Sequence, residues 1–298
     1  MSFQKVKALI KQNLIFYLTG FLIVFILKLF YSKAGSDQLL WILTPTAWWV
    51  RILSGIPFEY QAGAGFVNHS YRFIIAPSCS GVQFMMISIA MQIFSFVHRM
   101  GTKKKGVGWI GFSVMVSYLL TILVNGVRII LAIYLPLYLE GIIITGDFSR
   151  WLTPERLHTV IGIVVYFTSL IGIYCMAGVV SLKCAGVRMG GPNCINGNGV
   201  DIEAEKVPGK VYKEVPGKAP GYLLVQNIGK YITPGFWYFS IALGIPFLNR
   251  AYKHDGEKFM EYGGLMISVC LVIIGLVFLI SMIFKLIRGL SSFHPFKK

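Results

Sequence analysis

The sequence predicts an all-α polytopic membrane protein: a helical transmembrane bundle with a small β-hairpin on its outer side. Three observations predict it. Of 298 residues, 55% are hydrophobic and only 13% charged, with a mean hydropathy of +0.67, a balance expected of a polytopic membrane protein rather than a globular enzyme. Several apolar runs approach the ~20 residues that a spanning helix needs. The net charge of +16 would suggest nucleic acid in a soluble protein. Here the basic residues gather in loops between alternate runs, as cytoplasmic loops require, so no nucleic-acid partner is expected.

The first run, Leu14 to Phe30, follows Lys5, Lys7 and Lys11 and lacks a small-residue cleavage pattern, so it reads as an uncleaved helix starting in the cytoplasm. Leu39 to Leu53 is short for a span, contains Pro45 and Arg51 and is dense in Trp, which predicts an interfacial or re-entrant helix. In "FEYQAGAGFVNHSYRFIIAP", Gly63, Gly65 and the Asn68-His69-Ser70 run place turns between short stretches rich in Phe, Val, Tyr and Ile. That is a hairpin signal over Gly63 to Ile75, with Pro77 ending the strand and Ser78 placed to cap the next helix.

Further apolar runs cover Gly81 to Val97, Val107 to Val124, Thr159 to Leu182, Tyr231 to Leu248 and Gly263 to Phe284. Gly126 to Leu139, with Arg128 among apolar residues, is expected as a separate half-buried helix on the outer side. The loop "HRMGTKKKG", the segment after Leu182 and the C-terminal tail are basic. Placing all three inside puts about eighteen of the Lys and Arg there and leaves residues 31–80, 125–158 and 250–262 outside. Residues 183–230, with the near-repeat "KVPGKVYKEVPGKAPG", are too rich in Gly, Pro and Lys to fold alone. They are expected as a cytoplasmic linker that divides a membrane core, residues 1–182, from a two-helix appendix, residues 231–298.

The five cysteines, odd in number and without CxxC spacing, indicate neither a disulfide framework nor a zinc site. No metal or cofactor is expected. Cys175 and Cys270, set mid-helix, read as packing residues, and Cys184 as part of the linker. Cys79 differs, because it stands where polar punctuation meets a helix start. Ionisable groups at membrane depth are costly unless partnered, which singles out Arg128 and His158. Asn125, three residues before Arg128, shares its face if the segment is helical. A thiol of pKa ~8.5 attacks only as thiolate, and a nearby His or Arg and a helix N-terminus are the usual means of lowering that value. Arg128 can also stabilise an oxyanion, and His158 can protonate a leaving amine, giving a thioester acyl-enzyme on Cys79.

Three stretches, "APSCSGVQ" at Ala76 to Gln83, "NGVRI" at Asn125 to Ile129 and "ERLHTVIG" around His158, resemble in order and membrane context the motifs of the exosortase and archaeosortase family of membrane cysteine transpeptidases. The likeness covers roughly Leu14 to Leu182. It implies that Cys79 is the nucleophile, Arg128 its activating or oxyanion-stabilising partner and His158 the third catalytic position, with Asn125, Ser80 and Gly81 in support. Histidine at the third position is similar to the bacterial branch, where archaeal relatives carry Arg. The resemblance further implies a multi-pass protein of the cell inner membrane with its site facing the periplasm or exterior. Its substrates would be exported proteins carrying a C-terminal sorting signal, cut near a short motif and passed to an acceptor nucleophile.

Other classes compete on the same residues. A transporter or channel would line a polar path with Arg128 and His158, but the inverted repeats common in such proteins are not seen. A non-catalytic scaffold for exopolysaccharide export would keep the trio without turnover. A membrane acyltransferase using Cys79 would differ only in its acyl donor. Residues 183–298 lie outside the resemblance, and the sequence assigns them no function.

Overall fold

The computed structural model describes residues 3–140, 152–185, 232–248 and 255–291. Most of these are helical. Helix α1 spans Phe3–Lys33, α2 Leu40–Ser54, α3 Val82–Phe96, α4 Lys103–Glu140 and α5 Pro154–Ala185. Further along the chain come the shorter apolar helix α6, Ile232–Leu248, and α7, Gly256–Ser291. Among the described residues, five segments are long and apolar enough to cross a membrane: Ile10–Lys33, Pro77–Arg99, Lys103–Leu139, Pro154–Ala185 and Gly256–Ile280. Of the remaining expected run, Tyr231 to Leu248, the part from Ile232 on forms the short α6, interrupted by a turn at Leu243.

Helix α3 is the axis of the fold. Of its most apolar window 83% is buried, against 11% for α1 and 17% for α7, whose apolar side chains face outward. It packs on α1, α4 and α5. Polar side chains reinforce the α3–α4 seam: Gln92 Nε2 donates to Ser117 Oγ at 2.8 Å and Ser88 Oγ at 3.1 Å, and Trp109 Nε1 donates to the Gln92 carbonyl at 3.1 Å. Such bonds between apolar helices hold them together where burial alone gives little preference. At one end of the bundle, Arg99 Nη1 donates to Ser181 Oγ at 3.0 Å and Lys105 Nζ to the Cys184 carbonyl at 2.8 Å.

Two helix boundaries correct the sequence reading. Val107 to Val124 and Gly126 to Leu139 are not separate elements but one 38-residue helix, α4. Asn125 and Arg128 do not break it, because their side chains are buried against α3 and α5 rather than set in a loop. Likewise α5 runs on to Ala185, so Cys184 belongs to its last turn and not to a linker. The rest of the expected linker and Cys194 lie outside the described residues. Cys270 is buried as expected, but Cys175 is exposed on α5 rather than packed.

The expected hairpin is part of a three-stranded antiparallel sheet, β1 Glu59–Gln61, β2 Gly65–Asn68 and β3 Phe73–Ile75, in that order. Gln61 pairs with Gly65, and Asn68 with Phe73. The β1–β2 turn is clamped from the segment after α1: the Asp37 carboxylate accepts from Tyr60 OH at 2.5 Å and Gly63 N at 2.9 Å. These bonds hold the Asp37 carboxyl below its usual range. The clamp is therefore at full strength above the ordinary carboxylate pKa and is lost as pH falls through the lowered one.

Candidate active site

The backbone leaves β3 through extended Ala76 and enters a single 3-10 turn, Pro77–Cys79, before α3 begins at Val82. Cys79 N donates to the Ala76 carbonyl at 2.8 Å and Ser80 N to the Pro77 carbonyl at 3.1 Å. Gly81 then turns the chain into α3 with φ +75°. The N-cap is Gly81 and not Ser78; Ser80, one residue before the cap, accepts from Val82 N through its Oγ at 3.4 Å. The reason is the intervening 3-10 turn, which moves the helix start on. Cys79 thus sits on its own turn just ahead of α3, with its side chain only 8% exposed.

Gly81 has a second reason to be glycine. A Cβ there would stand 2.9 Å from Thr121 Cγ2 and 3.1 Å from Asn125 Cγ, so the bare backbone is what lets the Cys79 turn close onto α4. Across that contact Asn125 Nδ2 donates to the Cys79 carbonyl at 2.6 Å, both groups buried. Gly81→Ala is therefore expected to lower the thermal midpoint of the purified protein, since a left-handed alanine costs ~1–2 kcal/mol before the methyl clash is added. Gly108→Ala, with nothing within 4 Å, should change it little. Equal midpoints for the two variants would contradict this packing.

One turn beyond Asn125 on α4, Arg128 is buried at 8% exposure. Its guanidinium joins two helices: Nη1 donates to Tyr166 OH at 3.3 Å and Nη2 bonds His158 Nε2 at 2.9 Å. Arginine has only donors, so His158 Nε2 accepts, and the imidazole is the neutral tautomer with its proton on Nδ1. Among the described residues Arg128 Nε has no hydrogen-bond partner, and it lies against Gly162, where a Cβ would come within 3.1 Å of it. The Tyr166 hydroxyl closes the circuit by donating to Asn125 Oδ1 at 2.7 Å, while its ring stacks on Phe84 at 4.8 Å. His158, Gly162 and Tyr166 are spaced by four, so α5 presents all three on one face.

The three helices bring these groups to one level. Counted from the basic ends that Arg99 and Lys105 tie to α5, a rise of 1.5 Å per residue places Cys79, Arg128 and His158 roughly 30, 35 and 37 Å away along their respective helices. Arg128 and His158 border a cavity of about 140 Å³, lined among others by Tyr31, Ser78, Gly81, Gln83 and Tyr166. Cys79 is not itself in that wall; it stands in the chain between Ser78 and Gly81, which are. The Cys79 thiol lies within electrostatic reach of Arg128, and Ser78 Oγ approaches its sulfur at 4.0 Å. Among the described residues, no carboxylate forms an ion pair with Arg128 and no cluster of side chains is suited to hold a metal ion.

Tyr166 escapes the sequence reading, although the spacing His158, Gly162, Tyr166 signals it once His158 is taken as functional. The arrangement supplies a thiol, a buried guanidinium that no carboxylate among the described residues neutralises, and a neutral imidazole. Comparison with protein-family models, with curated proteins and with solved structures returns no match.

Proposed function

We propose that this chain is a membrane-embedded cysteine peptidase or transpeptidase of the exosortase type, acting on exported proteins that carry a C-terminal sorting signal. The observation that carries this reading is the Asn125 side chain. It holds the Cys79 turn through one end and, through Tyr166 at the other, the Arg128 and His158 pair, so three sequence-distant groups share one rigid network beside an open cavity. A guanidinium buried without a carboxylate is suited to an anion that forms during reaction, either the Cys79 thiolate or the oxyanion of a tetrahedral intermediate.

In this mechanism the Cys79 sulfur attacks the scissile carbonyl carbon, the carbonyl oxygen takes up negative charge opposite Arg128, and the C–N bond breaks to leave a thioester. The thiol proton ends on the departing amine. His158 carries it by accepting at Nε2 once the Arg128 Nη2 donor turns to the oxyanion, which couples charge stabilisation to proton transfer. Water or an acceptor nucleophile then resolves the thioester. Mass spectrometry of a candidate substrate's C-terminus, with and without this protein, tests the proposal. A new C-terminus near the sorting motif supports it, and an unaltered one in the presence of the well-expressed protein contradicts it.

The membrane setting belongs to the same proposal. A distance of roughly 30–37 Å from the basic ends matches one hydrocarbon thickness, which puts the site at the far boundary when the basic ends are cytoplasmic. In intact cells a small impermeant methanethiosulfonate should then modify Cys79 from outside and leave the buried Cys270 untouched. Modification only after the inner face is opened would reverse the sidedness.

A further inference from the structure

The two C-terminal helices fall outside the motifs that suggest the chemistry, yet they reach the same cavity. Tyr238 and Ala242 of α6 and Tyr262 of α7 line it together with Arg128 and His158. Both phenols lie within electrostatic reach of Arg128. Nor is this pair of helices loosely attached. Tyr238 is 4% exposed with its ring 5.6 Å from that of Phe167, and Ile241, Met266 and Cys270 are buried in one apolar cluster with Phe84 of α3 and Leu170 of α5. Next to Tyr262, the Glu261 carboxylate accepts from Arg156 Nε at 2.6 Å, which ties α7 to the first turn of α5 two residues from His158.

We infer that α6 and α7 form a wall of the cavity, and that Tyr238 and Tyr262 are positioning residues that select, by size, an uncharged side chain of the substrate next to the bond that is cut. This rests on the peptidase reading. The wall is two phenols and a small alanine, with no formal charge of its own, so it accepts a compact neutral group and turns a wide one away. Ala242 sets the depth of the space and the two rings set its width. Removing a ring widens the space without touching Arg128, His158 or Cys79, whereas enlarging Ala242 narrows it.

The test uses the full-length protein in membranes and measures, by mass spectrometry of the peptide containing Cys79, the rate of alkylation by iodoacetamide and by the wider N-phenyl iodoacetamide. Tyr262→Ala should raise the wide-to-small rate ratio about ten-fold, the scale on which a pocket discriminates by one missing group. Ala242→Leu should lower the ratio, while Tyr262→Phe and Met260→Ala, at an exposed position outside the cavity lining, should keep the wild-type value. If Tyr262→Ala fails to assemble, Tyr262→Leu takes its place with a smaller rise expected. A ratio unchanged in Tyr262→Ala (or Tyr262→Leu) and in Ala242→Leu overturns the wall.

A parallel arm follows processing of two reporters that differ only in the bulk of the residue at the scissile bond. Tyr262→Ala should admit the bulkier one chiefly through a lower KM, with kcat for the smaller reporter little changed. If the wild-type protein processes neither reporter while the alkylation ratio still moves as expected, the peptidase reading fails and the wall stands as part of a binding cavity. Normal processing with an immobile ratio has the opposite meaning and removes the wall alone.

Discussion

Cys79→Ala and Cys79→Ser each reduce processing of a co-expressed reporter bearing the sorting signal by roughly three orders of magnitude or more, the loss expected when a covalent nucleophile is removed. The serine variant is the sharper of the two. It keeps the size and hydrogen-bonding character of the side chain, but a hydroxyl cannot be brought into the range where a cationic neighbour yields an appreciable anion. Neither change should disturb the turn, since the bond from Asn125 is made to the Cys79 backbone carbonyl and not to the thiol. Cys175→Ala and Cys184→Ala, at exposed positions of α5, should process normally. Gel-shift assays with membrane levels of each variant measured alongside decide the matter, and full processing by a well-expressed Cys79→Ala protein moves the scaffold reading to the front.

Arg128→Lys is expected to lose about a hundred-fold or more in activity, although it preserves the charge. The native guanidinium bonds Tyr166 and His158 at once through separate nitrogens, 3.3 and 2.9 Å away, while its Nε lies against Gly162. An ammonium is a point charge without the planar fork, so it cannot keep its bond to Tyr166 while turning a second donor from His158 to an oxyanion at a fixed angle. The thermal midpoint of the variant separates this from unfolding. Near-native activity in Arg128→Lys would mean that charge alone suffices and that the geometry of the fork has no part in the reaction.

Much of the scaffold was legible because apolar length is a strong signal, and the runs from Leu14, Gly81, Val107, Thr159 and Gly263 each lie within a helix long enough to cross a membrane. Polar residues inside such runs misled. Asn125 and Arg128 look like the edge of a span, but buried partners on α3 and α5 let α4 continue through them. Strand β1 was missed for the converse reason: Glu59 to Gln61 is wholly exposed, so it carries no alternation, and only pairing with β2 defines it. At the site, Cys79, Arg128 and His158 stand out by chemistry alone. Tyr166, Tyr238 and Tyr262 do not, because a tyrosine in an apolar helix reads as an ordinary interfacial or core residue until the packing brings its hydroxyl or ring to the cavity.

The central claim, that Cys79 forms an acyl-enzyme at this network, is tested most directly by quenching the full-length protein in acid during turnover of the reporter and measuring the mass of the Cys79 peptide. The account predicts an adduct equal to the N-terminal product less water, borne on Cys79 and released by neutral hydroxylamine as a thioester requires. Reporter cleaved at full rate while Cys79 stays unmodified, at quench times shorter than one turnover and in a protein whose other cysteines are equally bare, would contradict it.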